Sequence, residues 1–510
     1  MADYVLAIDQ GTTGSTVLVI DKDGAVAGRG YSEFTQHYPQ PGWVEHDAAE
    51  IWTVTSKVIG AALGDAGIKA TEVAAIGITN QRETTVVWDR KTGEPIHNAI
   101  VWQCRRTADF CDELKERGLA DSVRDKTGLV IDAYFSGTKV KWILDHVDGA
   151  RARAAAGELC FGTIDSWLIY KLSGGKAHVT DYTNASRTMI FNIESRDWDD
   201  ELLQIMDVPR AMLPEILPSS AKDAYGYTLD GGPVGARVPV CGDLGDQQAA
   251  LFGQACYAVG EGKNTYGTGC FCLLNTGSAI VHSQSGLLTT VAYSLEPGRA
   301  TYALEGSVAI TGAAVQWLRD NLGLIENAAE TEAIAASVSD TGGCYFVPAF
   351  SGLFAPYWDM NARGVIVGLT RYVNRAHLVR ATLESICYQT RDVMEAMVTD
   401  AASVGSAAGG GMELATLKVD GGASVNNFLM QLQADVLGVP VVRPTISETT
   451  ALGAAYAAGL AVGLWSGLDD LRANWDVDRR FTPQWNVARR AAGVAGWKKA
   501  IERTRGWVES

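Results

Sequence analysis

Two short stretches, GTTGS at Gly11–Ser15 and YGTGC at Tyr266–Cys270, join apolar runs through glycines and threonines. Glycine leaves backbone N–H groups uncovered and threonine adds a hydroxyl donor, so both turns suit the oxygens of a phosphate. An ordinary tight hairpin uses the same residues, and one such turn alone reads that way first. Two in one chain are the stronger observation. Asp9, ending the run before the first turn, offers a hard oxygen of the kind a largely hydrated Mg²⁺ takes, or else a cap for the turn. A third element, VDGGASVNNF from Val419, sets two glycines between a strand and a helix opened by Asn426. That arrangement serves a nucleotide lying against the backbone, and equally a plain N-cap. Neither GxxxxGK[ST] nor a helix-opening GxGxxG occurs, which removes the main support for a P-loop or a dinucleotide fold.

Polar clusters lie between these turns. ITNQRETTVVWD places Arg82 and Glu83 just after a strand, where side chains of α/β proteins commonly face a site; a bland surface ion pair is the alternative. IVWQCRR adds Trp102 and YFSGTK adds Tyr134. GDLGDQQ opens a helix with Asp246 and Gln247. Local spacing makes Asp246 an N-cap, and an aspartate there also suits taking the proton of a substrate hydroxyl.

The elements that must hold these residues alternate between strand and helix, so the fold class expected is α/β. YVLAID, STVLVID and AVAGRGYSEF read as a strand meander, EIWTVTSKVIGAALGDAG as a helix stopping at glycine, and VAAIGIT as a returning strand. GKNTYGTGCFCLLNTGS, from Gly262, starts a second hairpin, which suggests duplicated domains at 1–253 and 254–510 facing each other across a cleft. At 510 residues the chain is long enough for two or three cores. Gly409–Gly411 reads as a surface loop.

A formal charge of -16 argues against a nucleic-acid partner, since phosphate backbones attract clustered Lys and Arg. The nine cysteines form no CxxC pair and read as reduced thiols of a cytoplasmic protein, with Cys270 and Cys272 on opposite faces of a strand. ALGAAYAAGLAVGL, from Ala451, is shorter than the ~20 residues of a membrane span and reads as a buried helix, so no membrane span is expected.

IDQGTTGST, GWVEHD, GITNQRETTVVWD, IVWQCRRTA, DAYFSGTKVKWILDHV, FGTIDSWLIYKL, TDYTNASRTM, GDQQAALFGQ, KNTYGTGCF, APYWD, RATLESI and VDGGASVNNFLMQ together resemble the glycerol kinases of the FGGY carbohydrate kinase family, in order from Tyr4 to about Lys499. The resemblance implies two ribonuclease H-like domains of the actin and hexokinase type, flanking a catalytic cleft. It implies ATP- and Mg²⁺-dependent phosphorylation of glycerol to sn-glycerol 3-phosphate. Position by position it makes Asp246 the general base and Arg82, Glu83, Tyr134, Asp246 and Gln247 the glycerol contacts, with Trp102 and Phe271 as an apolar wall. Thr12, Thr13, Gly14, Gly267 and Thr268 become phosphate contacts; Gly312, Gln316, Gly422 and Asn426 become adenine nucleotide contacts. A homodimer or homotetramer is implied, and so is a fructose 1,6-bisphosphate effector near Gly235 and Arg237.

The sequence departs from the family pattern at Thr16, where an arginine reaching the phosphates is usual, at Asp243, where a small or apolar residue is usual, and at Phe354, where glycine is usual. Two other readings stay open: a kinase for another small polyol or a ketose, and a non-catalytic nucleotide binder on the same scaffold. Retention of Asp246, Arg82 and Glu83 weighs against the binder, which would not need them.

Overall fold

The structure is a computed structural model that describes residues 3–405 and 413–508. The Gly409–Gly411 loop lies outside the described residues. The chain forms two compact units, the first made of Met1–Ala255, Thr289–Tyr302 and Thr449–Trp475, the second of Cys256–Leu288, Ala303–Glu448 and Asp476–Ser510. They differ from the contiguous stretches expected at 1–253 and 254–510 because later segments return to the first unit.

In the first unit β1 (Tyr4–Gln10), β2 (Gly14–Asp21) and β3 (Val26–Glu33) form the expected antiparallel meander. Helix α1 (Ala48–Ala66) follows. Asp47 caps it by accepting from the amides of Ala49 and Glu50, and Gly67 ends it at a φ of 65°. Its buried Ile51, Thr55, Val58, Ile59 and Ala62 recur at helical spacing and cover the sheet. Strand β4 (Val73–Asn80) then pairs parallel to β1, and β5 (Val240–Gly245) pairs parallel to β4, for the order β5-β4-β1-β2-β3. Helix α2 (Asp246–Gly253) leaves directly from β5.

The apolar run from Ala451 lies in the Thr449–Val462 helix, buried over most of its length. It packs on β4, β5 and α2 so closely that a Cβ on Gly242 would stand 2.6 Å from the Ala458 nitrogen, and one on Gly77 would strike the Ala454 carbonyl. Small residues on both surfaces permit that approach, which is why this distant segment belongs to the first unit.

The second unit repeats the plan. Strands β6 (Gly262–Tyr266) and β7 (Cys270–Gly277) form the second hairpin, joined by β8 (Thr301–Val308), β9 (Leu417–Asp420), β10 (Val441–Pro444) and β11 (Val477–Phe481). The order β10-β9-β6-β7-β8, with β9 parallel to β6 and β7 antiparallel to it, matches the first sheet strand for strand, and β11 extends the edge. Helices α3 (Gly312–Asp320), α4 (Arg375–Gly405) and α5 (Asn427–Leu437) accompany this sheet. The expected α/β class with two ribonuclease H-like halves is what is found.

Cys270 and Cys272 correct one expectation, because both are buried in the same core. Residues two apart on a strand share a face, and Phe271 between them takes the other. All nine cysteines are buried thiols outside any disulfide. Among the described residues no helix is long and apolar enough to cross a membrane.

Candidate active site

In the first unit the chain leaves β4 at Asn80 and turns through Gln81, Arg82 and Glu83. Glu83 has a φ of 59°, a strained value for a residue with a side chain. Hydroxyls of Ser136 and Thr85 donate to its carbonyl at 3.0 and 3.1 Å and hold that turn. The turn presents charges in alternation. Asp246 Oδ1 lies 3.2 Å from Arg82 Nε, Arg82 Nε lies 3.9 Å from Glu83 Oε1, and Arg187 Nε donates to Glu83 Oε1 at 2.7 Å. Arg82 Nη1 also donates to Gln248 Oε1 at 3.1 Å. Beyond Arg187 stands the Tyr134 ring at 5.9 Å, and the Trp102 ring meets Tyr134 edge-on at 5.5 Å. Lys139, fully buried, donates to the Phe135 carbonyl at 3.0 Å and to the Tyr134 carbonyl at 2.5 Å; burial pulls its pKa down to about 8. Arg82, Glu83, Trp102, Tyr134 and Asp246 are therefore joined by an unbroken series of contacts.

Asp246 is the first helical residue of α2, and Gly245 occupies the cap. Its Oδ1 accepts from the Gln247 amide at 2.7 Å as well as facing Arg82. A carboxylate with one oxygen tied and the side chain 30% exposed can turn its other oxygen to a hydroxyl.

The first hairpin turn carries Thr12, half-buried, whose hydroxyl accepts from Trp102 Nε1 at 3.0 Å, and Thr13, exposed. A Cβ on Gly14 would stand 2.8 Å from the Ser32 carbonyl and from the Tyr31 ring, so glycine is needed there for packing as well. Asp9 faces Thr16 across β1 and β2. Burial, and then the charge of Asp246, push the Asp9 carboxyl up to about 7.

In the second unit Gly267 and Thr268 are exposed at the hairpin tip, and their carbonyls accept from the start of α3: Gly312 N to Gly267 O at 3.2 Å, Thr311 N to Thr268 O at 3.0 Å and Ala313 N to Thr268 O at 3.1 Å. A Cβ on Gly312 would stand 2.6 Å from the Gly267 carbonyl, so only glycine admits this docking. Gln316 is exposed on α3, Phe271 is half-buried on β7, and Gly422 has open space around its missing Cβ. Asn426 caps α5, accepting from Leu429 N at 2.9 Å and donating to Thr331 Oγ1 at 3.0 Å. Profiles for the FGGY family of carbohydrate kinases match residues 4–253, its N-terminal domain, and 262–462, its C-terminal domain.

This chain belongs to the FGGY family of carbohydrate kinases. It is similar to a protein named glycerol kinase 2 from Thermotoga maritima, 60% identical over 504 residues and 99% of each chain. A glycerol kinase from Caldanaerobacter subterraneus subsp. tengcongensis is 60% identical over 509 residues and 100% of both. Among solved structures, Plasmodium falciparum glycerol kinase with ADP superposes with a TM-score of 0.92 at 34% identity over 99% of both chains.

Within this FGGY chain, Arg187, Gln248 and Lys139 carry much of the site's geometry, and sequence reasoning assigned none of them a role. Only their place inside the motifs TDYTNASRTM, GDQQ and YFSGTK could have signalled them. Asp243, one of the departures, is fully buried on β5 beside Asn184 at 3.5 Å. Burial, and then Asp165 and Asp181, push its carboxyl well above the usual carboxylate range. The loop expected to take an effector has Gly235 at a φ of 80° and the Arg237 guanidinium 3.7 Å over the Tyr227 ring. Phe354 is half-buried in the second unit, 6.1 Å from the Trp358 ring.

The raised carboxyl of Asp9 predicts a pH effect. Between its ordinary 3.8 and about 7 the folded chain keeps a proton that the unfolded chain has released, so its contribution to stability falls as pH rises through that window. Asp9→Asn is expected to raise the thermal midpoint relative to wild type above pH 7 and to lose that advantage toward pH 4. Parallel melting curves across the range would show that Asp9 carries no such shift.

Proposed function

We propose that this chain transfers the γ-phosphoryl group of ATP to a terminal hydroxyl of glycerol, releasing ADP and sn-glycerol 3-phosphate. The observation that carries this reading is the alternating series Asp246, Arg82, Glu83 and Arg187 beside the Trp102 and Tyr134 rings. A small polyol offers hydroxyls and little apolar surface, so a site dense in charged donors and acceptors with one aromatic wall suits it. Arg82, Glu83, Tyr134, Asp246 and Gln247 hold the hydroxyls, and Trp102 covers the carbon chain.

In the reaction the glycerol oxygen bonds to the γ-phosphorus while the bond from that phosphorus to the β,γ-bridging oxygen breaks. Asp246 takes the hydroxyl proton as this happens, with Oδ1 fixed by Arg82 and Gln247 so that the acceptor oxygen is oriented. Thr12, Thr13 and Gly14 in one hairpin and Gly267 and Thr268 in the other contact phosphate oxygens. Gly312, Gln316, Gly422 and Asn426 contact the rest of the nucleotide.

Asp9 fits a magnesium ion. A carboxyl pushed up to about 7 by burial and by Asp246 favours its anionic form once a cation stands beside it. Among the described residues no group of three or more His, Cys, Asp or Glu could hold a metal by protein ligands alone. An ion beside Asp9 would be carried mainly by nucleotide phosphates and water, and would neutralise phosphate charge.

The test is ADP release with glycerol, dihydroxyacetone, erythritol, xylulose and ribulose as acceptors. Glycerol should give the highest kcat/KM; a ketose preference, or no acceptor-dependent release, would overturn the reading. Arg82→Ala is expected to raise KM for glycerol more than KM for ATP, because one small substrate loses several contacts while Asp246 and Glu83 lose their shared cation. A change confined to ATP would put Arg82 at another ligand.

Thr16→Arg sets a guanidinium on the same face as Asp9, across the β1–β2 pair. A cation aimed at phosphates holds them more strongly than one neutral hydroxyl does. Titration calorimetry should show tighter nucleotide binding with KM for glycerol nearly unchanged. Affinity equal to wild type or weaker would mean that Asp9 neutralises the new cation.

A further inference from the structure

A closed circuit of hydrogen bonds runs around His46, a residue outside the set given roles above. The Trp102 indole N–H donates to the Thr12 hydroxyl at 3.0 Å, and the Trp102 amide donates to Thr84 Oγ1 at 3.3 Å. The Thr84 hydroxyl donates to Gln81 Oε1 at 3.0 Å, and Gln81 Nε2 lies 3.3 Å from His46 Nδ1. His46 Nε2 lies 2.7 Å from Gln36 Oε1, and Gln36 Nε2 returns to the Thr12 carbonyl at 3.1 Å. The imidazole is fully buried, with its ring edge-on to Phe34 at 4.9 Å.

Only one arrangement of protons satisfies every member. An indole nitrogen can only donate, so the Thr12 oxygen accepts and its own proton is left to point at a ligand, the polarity a phosphate oxygen requires. Gln36 Nε2 is a donor to the Thr12 carbonyl and to the Phe34 carbonyl at 3.4 Å, which leaves Oε1 to accept from His46 Nε2–H. Gln81 Nε2 also donates to the Gly11 carbonyl at 3.3 Å, so His46 Nδ1 must accept from it. The histidine is therefore the neutral Nε2–H tautomer, and burial, followed by His37, holds its pKa down to about 4.

A histidine with two bonds inside a core can be no more than a well-satisfied core residue. Here, however, each arm ends on a piece of the site. One holds the carbonyl of Thr12 in the first hairpin, and the other holds Gln81, next to Arg82, and through Thr84 reaches Trp102. We propose that His46 is a positioning residue for phosphoryl transfer, locking the phosphate hairpin at Thr12 and the acceptor wall at Trp102 into one register. This rests on the reading of Thr12 as a phosphate contact and Trp102 as a glycerol contact. Without His46 the two glutamine amides lose the partner that fixes their orientation, and the hairpin carbonyl and the Gln81–Glu83 turn relax independently.

The test uses the full chain and four variants, with kcat, KM for glycerol, KM for ATP and the thermal midpoint measured for each. His46→Phe keeps a ring against Phe34 and cuts both bonds. His46→Gln restores an acceptor and a donor. Thr84→Val breaks the circuit elsewhere with little change of shape, and Trp102→Phe, alone and combined with His46→Phe, closes a double-mutant cycle.

His46→Phe and Thr84→Val should each lower kcat/KM for glycerol by about 10- to 100-fold, the scale of a misplaced reacting group, and raise KM for both substrates. A purely structural role would reduce kcat with the folded fraction and leave both KM values alone. His46→Gln should recover most of the loss, and His46→Phe should add little on the Trp102→Phe background. The proposal is overturned if His46→Phe keeps both KM values of wild type, if His46→Gln is no better than His46→Phe, or if the two aromatic changes multiply. Should His46→Phe not fold, Thr84→Val decides on the same KM criterion. Wild-type enzyme that fails to phosphorylate glycerol would instead refute the functional reading, before any variant is made.

Discussion

Asp246→Asn is expected to lower kcat by about 10²-fold or more while leaving the thermal midpoint close to wild type. The amide has nearly the same shape, and its oxygen can still accept from the Gln247 amide and face Arg82, so the start of α2 has no reason to move. What disappears is the second carboxylate oxygen, the one able to take the hydroxyl proton; an amide nitrogen in its place offers hydrogens where an acceptor is needed. A second consequence is separable from turnover. The charge of Asp246 is one of the two causes that hold the Asp9 carboxyl up to about 7, so removing it should bring the Asp9 titration down toward the ordinary range. Steady-state rates at saturating glycerol and ATP test the first effect, and carboxyl chemical shifts followed against pH test the second. Near-normal turnover would mean that another group takes the proton.

The meander β1-β2-β3, both hairpins and the restart at Gly262 are legible in the sequence because alternation and glycine turns are local signals. The same holds for the strand end that delivers Arg82 and Glu83. The return of the Thr449–Val462 helix to the first unit is not legible, since it depends on Gly77 and Gly242 meeting a helix hundreds of positions away in space the chain closes only on folding. Asp246 shows how far local spacing reaches. It allowed an N-cap, Gly245 takes that place, and what singles out Asp246 is Arg82, brought in from another strand. Roles for Trp102, Tyr134 and the nucleotide contacts came from the family resemblance, not from spacing. Arg187 and His46 escaped notice for one physical reason: a buried polar residue is distinguished by its partners, and Glu83, Gln36 and Gln81 become partners only in three dimensions. The two thiols of Cys270 and Cys272 were misplaced on opposite faces although strand periodicity puts positions two apart on the same one.

Arg187→Met should destabilise the first unit by about 3–5 kcal/mol, the usual cost of removing one partner of a buried ion pair. Arg187 and Glu83 are 0% and 1% exposed, and the change takes from the Glu83 carboxylate its 2.7 Å donor while filling most of the guanidinium's space with an apolar chain. The carboxylate then draws on Arg82, 3.9 Å away, and Arg82 is shared with Asp246 at 3.2 Å. Glycerol binding should weaken along with stability, because the alternation that orients Arg82 is lost at its far end and the Tyr134 ring loses the cation beside it. The two effects come apart in the double variant Glu83→Gln/Arg187→Met. With the carboxylate neutralised no buried charge is left uncompensated, so most of the lost stability should return, whereas KM for glycerol should stay high because the Glu83 acceptor is gone. Calorimetric melting of both variants beside wild type measures the first effect and steady-state kinetics the second. A single variant within about 1 kcal/mol of wild type would show that the pair is solvated in solution, and a double variant no more stable than the single one would locate the cost in packing around Arg187 instead of in its charge.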